Sequence, residues 1–133
     1  MKIFLFIICI AAAVAGCKKG TLNPSASSGL MGTWELRHYS GTLAGVSIEY
    51  PKGNGKLVQF SADSTYKRFT NFKLDNQGTF KIVKNGVTWG DIKYDALYLG
   101  PDQGPDFMIL KPDSLIIGNT FADGVTSLYL RQK

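Results

Sequence analysis

From Gly29 to the C-terminus, turn-forming clusters interrupt the chain about every ten residues, and no window between them carries a helical period. Segments that short are too brief for packed helices and suit β-strands. Each strand leaves one face to bury and two edges to pair. Closing the sheet on itself answers both needs, so the expectation is an all-β fold: a small antiparallel meander barrel of about eight or nine short strands.

The first strand opens at Gly32. Trp34, Leu36 and His38 alternate with Thr33, Glu35, Arg37 and Tyr39, which predicts one buried face carrying Trp34, Leu36 and His38. A glycine-containing loop follows over 40–45, then a short segment at 46–50 closed by Pro51. Gly53-Asn54-Gly55 reads as a turn. Strands are expected at 56–60 and 65–72, joined by Ser61-Ala62-Asp63-Ser64, whose Asp and Ser side chains can bond their own backbone. Asp75-Asn76-Gln77-Gly78 reads as the next turn, 79–84 as a strand, and Asn85-Gly86 as a type I′ hairpin turn leading into 87–94. A short segment at 96–99 precedes the Pro/Gly loop 100–105. Strands at 107–110, 114–119 and 125–131 complete the series, with turns at Lys111-Pro112-Asp113 and Asp123-Gly124.

The N-terminus reads as an address. Met1-Lys2 is a positive start, and residues 3–14 are an apolar run, right for a signal peptide and too short for a permanent membrane span. Val14-Ala15-Gly16-Cys17 resembles the lipobox of bacterial lipoproteins. That resemblance implies cleavage after Gly16, with residues 1–16 as signal peptide, and acylation of Cys17, through which the chain would contact membrane lipid. Several acyl chains make a stable anchor where one is marginal. Lys18-Lys19 resembles the outer-membrane sorting class, and the chain lacks the acidic residues that surface-exported lipoproteins of Bacteroidota usually carry after the cysteine, which implies a periplasm-facing leaflet. Small polar residues and Pro24 make 17–28 a lipidated cysteine and flexible tether, with an r.m.s. reach of roughly 20 Å. The folded domain is then 29–133.

Charge and cysteine usage exclude several functions. Removing Lys2, Lys18 and Lys19 from the 15 basic residues leaves 12 against 10 acidic ones, a net of +2. With Lys67-Arg68 as the one basic pair, no nucleic-acid partner is expected. Cys9 and Cys17 both precede the domain, so it holds no disulfide, thiolate metal site or thiol nucleophile. His38 is the sole histidine, and Asp102 and Asp106 lack the dense acidic spacing of a calcium loop. No metal or cofactor is expected. Glu35 and Glu49 do not pair as acid and base, and Ser64 and Ser114 have no histidine in motif distance, so no enzyme is expected.

Gly32-Thr33-Trp34 resembles the Gly-X-Trp motif of lipocalins, and Arg131 stands where the family carries a basic residue on its last strand. The resemblance implies that Gly32, Trp34 and Arg131 close the barrel, with the guanidinium across the indole. The layout of lipobox, tether, Asp63-Ser64-Thr65-Tyr66, Gly78-Thr79-Phe80 and Asp113-Ser114-Leu115-Ile116 is similar to the lipocalin-like lipoproteins common in Bacteroidota. Asp63-Ser64-Thr65 and Asp113-Ser114-Leu115 also resemble the O-glycosylation sequon of exported Bacteroidota proteins, at Ser64 and Ser114, although Asp-Ser is good turn chemistry in its own right.

The expected ligand-facing residues are His38, Phe60, Tyr66, Phe80, Leu115, Ile117 and Leu128. Two functions follow from such an interior. A hollow barrel would bind a small apolar or glycan-derived ligand; a filled one would serve as a protein-interaction or accessory subunit of an outer-membrane assembly. A continuous pocket on the order of 300 Å³ separates them.

Overall fold

The computed structural model describes residues 29–41 and 44–133; the expected signal peptide, Cys17 and the expected tether lie outside the described residues. Nine strands form one antiparallel sheet: β1 (Gly32–Gly41), β2 (Val46–Glu49), β3 (Leu57–Phe60), β4 (Thr65–Thr70), β5 (Lys73–Trp89), β6 (Ile92–Leu99), β7 (Asp106–Leu110), β8 (Ser114–Gly118) and β9 (Val125–Arg131). Pairing of β1 with β9 closes eight of them into a barrel, and β2 is the extra strand. No helix occurs among the described residues.

β2 and β3 lie along the same side of β1. Glu49 stands opposite His38 and Leu57 opposite Glu35, so the partner chain advances eight residues while β1 moves back three; five residues loop out. Glu35, 2% exposed, holds that loop. Its Oε1 accepts from the backbone N–H of Gly53 at 2.6 Å and of Asn54 at 3.1 Å. The Asn54 amide then donates to the carbonyls of Leu36 and Pro51. The Gly-Asn-Gly turn is therefore fixed by a buried carboxylate, which satisfies donors that would otherwise be orphaned.

The middle of the chain departs from expectation. Asp75-Asn76-Gln77-Gly78 is not a turn, and Asn85-Gly86 is not a hairpin; both lie inside the 17-residue β5. The turns are instead at Asn71-Phe72, both left-handed, and at Gly90-Asp91, between the paired Trp89 and Ile92. Asn85-Gly86 forms a bulge: Lys84, Asn85 and Gly86 stand against the single residue Asp95, whose carboxylate accepts the Asn85 N–H at 3.0 Å. A Cβ at Gly86 would sit 2.8 Å from the Ala96 methyl, so the glycine is required by close packing. Beyond the bulge the hairpin lays Trp89 and Tyr94 against buried Phe107, with ring centroids 5.2 and 5.4 Å apart.

The core fills one end of the barrel. Leu30, Trp34, Val58, Phe60, Tyr66, Phe80, Leu97, Leu99, Met108, Leu115 and Ile117 form one buried cluster. Phe60 meets Phe80 edge to face at 5.1 Å. Trp34 is fully buried, and its indole N–H donates to the Leu30 carbonyl at 2.8 Å. Arg131 lies across it, 4.1 Å from the ring centre, and donates to the carbonyls of Pro112, Met31 and Gly29. Gly32 has a φ of +121°, and a Cβ there would come within 3.0 Å of Arg131 Nη1, which explains why a glycine precedes this seal.

Candidate functional site: a half-open cavity above the sealed core

The other end of the barrel is hollow. A half-open cavity of about 340 Å³ is framed by seven strands and two connections. Its apolar wall comes from Leu36, Leu57, Phe69, Ile117 and Val125. Its polar groups are Tyr39, Lys56, Arg68, Thr70, Asp75, Gln103, Asp106, Ser127 and Tyr129. Gly118 completes the lining; a Cβ there would fall 2.7 Å from both a Phe107 ring carbon and the Val125 carbonyl oxygen.

Strand alternation places Arg68 inside. Phe60 pairs with Tyr66 and Val58 with Arg68, so Arg68 sits on the inward face one step above the packed layer. Its Nε is sealed from water and has no hydrogen-bond partner. Two of the other ionisable groups that line this space are perturbed by burial. Burial pushes the Asp106 carboxyl above its usual range, and the Arg68 guanidinium partly opposes that. Burial likewise raises the Tyr129 phenol, with Arg68 and a hydrogen bond to Ser127 acting in the opposite direction and Asp106 adding to the rise. These groups form an electrostatically linked set along one half-open chamber.

Of the residues expected to face a ligand, Ile117 alone lines the cavity. Phe60, Tyr66, Phe80 and Leu115 are packed in the core beneath it. Tyr66 donates from its hydroxyl to Asn76 Oδ1 at 3.2 Å. His38 and Leu128 are corrections: neither lines the cavity. A register shift between Leu36 and His38 inserts Arg37 as an extra residue against β9, which flips the remainder of β1. Tyr39, opposite Ser127, therefore points inward, while His38 pairs with Leu128 on the outer face. There His38 Nε2 meets Ser47 Oγ at 2.9 Å and Glu49 Oε1 at 3.8 Å.

Ser64 sits in the β3–β4 turn with a left-handed backbone, beside Asp63, whose carboxylate accepts from both the N–H and hydroxyl of Thr65. Those bonds hold the Asp63 carboxyl below its usual range. Ser114 opens β8 rather than lying in the turn, and its carbonyl accepts from the Lys111 N–H. Both serines are half-buried. Among the described residues, no group of three His, Cys, Asp or Glu side chains is placed to hold a metal ion.

Sequence reasoning missed Arg68 and Glu35. The signal for Arg68 is present: the alternation that turns Tyr66 inward also turns Arg68 inward. Compared with protein-family models, curated proteins and solved structures, the chain matches none.

Proposed function

We propose that this chain is a lipid-anchored envelope lipoprotein whose lipocalin-like barrel carries a small ligand at the periplasmic face of the outer membrane. One observation carries the ligand part: a cavity of about 340 Å³ stands open above a core sealed at its far end. That volume falls within the roughly 300–1,000 Å³ of small-molecule sites. The lining favours a glycan-derived or otherwise partly polar molecule over a purely apolar one, because charged and hydroxyl groups share the walls with aliphatic ones. The Val14-Ala15-Gly16-Cys17 sequence supports the anchor, and the Trp34–Arg131 seal supports the lipocalin likeness.

The test is native and intact mass spectrometry on the full chain purified from its host membranes in mild detergent. A chain starting at Cys17 with acyl mass, carrying a small co-purifying molecule, is the expected result. Retention of residues 1–16 would overturn the anchor. A co-purifying protein with no small molecule would overturn the carrier reading in favour of an accessory subunit.

A further inference from the structure

We propose that the cavity is a site for a small hydroxylated monocarboxylic acid, its carboxylate seated on the Arg68 guanidinium. The inference rests on the carrier reading above and adds the chemistry of the ligand.

Arg68 is the group that the fold leaves unsatisfied. Its Nε N–H is shut away from water and bonded to nothing among the described residues. An unpaired N–H on a permanently charged group is among the costlier defects of a folded chain. The protein's own carboxylates do not relieve it. Among the described residues, the ion contact within 4.0 Å is His38 with Glu49, on the outside of the barrel. Asp75 and Asp106 line the same chamber but stand farther off. The Nε edge of a guanidinium presents two parallel N–H groups, a fork whose geometry fits the two oxygens of a carboxylate. The Nε N–H is covered, so a carboxylate in the cavity that Arg68 lines takes up this edge through a rotation of the Arg68 side chain and then supplies what the edge lacks.

The remainder of the chamber limits what can be attached to that carboxylate. Asp75 and Asp106 accept from hydroxyls and, set against Lys56 as the one further lining cation, disfavour a second acidic group. Thr70, Gln103 and Ser127 add further hydroxyl and amide partners. Leu36 and Phe69 leave an apolar wall for the carbon face of a ring. A volume of about 340 Å³ equals about eleven water molecules at roughly 30 Å³ each, room for a molecule the size of a sugar acid.

Calorimetry on the full chain in detergent tests this with D-glucuronate, D-glucose, D-glucosamine and butyrate. Glucuronate should bind at least about tenfold more tightly than the neutral and cationic sugars, and Arg68→Gln should weaken glucuronate roughly ten- to hundredfold, far more than it weakens glucose. Arg68→Lys should fall between, since it keeps charge and loses the fork. Glucose or glucosamine matching glucuronate overturns the Arg68 assignment while leaving the carrier reading intact. Butyrate matching glucuronate overturns the hydroxylated class. If none of the four binds and the host-purified chain carries no small molecule, the carrier reading itself fails. Should Arg68→Gln not fold, the ligand series on the unaltered chain still decides.

Discussion

Replacing Arg131 by methionine should unfasten the sealed end of the barrel. The side chain lies 4.1 Å over a fully buried indole, a contact worth about 1 kcal/mol, toward 2 where dry. Its bond to the Met31 carbonyl, 2.7 Å and partly buried, contributes about 1.5 kcal/mol as a charge-assisted interaction. The bonds to Pro112 and Gly29 are exposed, so water replaces them at about 0.5 kcal/mol each. Methionine supplies none of these, but its sulfur contact with the indole offsets about 0.5–1 kcal/mol, so the loss is about 3 kcal/mol in all. For a domain of about a hundred residues that lowers the melting temperature by roughly 12–24 °C. Urea unfolding followed by near-ultraviolet circular dichroism measures it, with a shifted midpoint and unchanged slope expected. Arg131→Lys should recover part of the loss. A melting temperature within about 3 °C of wild type for Arg131→Met would refute the claim that this residue joins the first strand to the last.

Three further outcomes follow from the same contacts. Glu35→Gln should cost about 1–2 kcal/mol in urea unfolding, because a neutral amide oxygen accepts the Gly53 and Asn54 N–H groups less strongly and its NH₂ gains no partner in exchange. Gly118→Ala should destabilise by about 1–3 kcal/mol, since the new methyl meets a Phe107 ring carbon and a backbone carbonyl at 2.7 Å; an unchanged midpoint would show that β8 gives way freely. For Asp106 the folded-state pKa is raised from 3.8, so the native chain binds more protons and stability falls as pH rises above that value. Asp106→Asn should therefore match wild type more closely below about pH 3.8 and gain on it above. A difference independent of pH would refute the burial of that carboxyl.

The barrel was legible because in–out alternation and turn chemistry agree over most of the chain. Ser61-Ala62-Asp63-Ser64, Lys111-Pro112-Asp113 and the loop holding Asp123-Gly124 all join successive strands. Alternation fails wherever one extra residue enters a strand. Arg37 does so in β1, and its Nε donates to the Tyr50 carbonyl at 3.0 Å across the broken β2–β3 edge. No local signal marks it, because the cause is a loop that comes back 13 residues later. Asn85-Gly86 fails differently. The pair has good hairpin chemistry, but a bulge also accepts a left-handed Asn and a glycine, and the choice rests with the Asp95 carboxylate across the ladder. Phe72 in a left-handed turn is opaque to sequence reasoning, since a bulky aromatic rarely adopts that backbone.

The two ends of the barrel divide stability from recognition. At the sealed end, the polar groups that reach inward have partners on the chain: the Trp34 indole has Leu30, Arg131 has three carbonyls, and the Tyr66 hydroxyl has Asn76. At the open end, Arg68 breaks that rule one step above the last packed layer. Both residues are arginines facing the barrel interior, yet one is saturated and the other is not. A uniformly loose fold would leave unsatisfied groups at both ends. The defect belongs to a residue of the chamber wall, and the sealed end supplies the stability that lets the chain carry it.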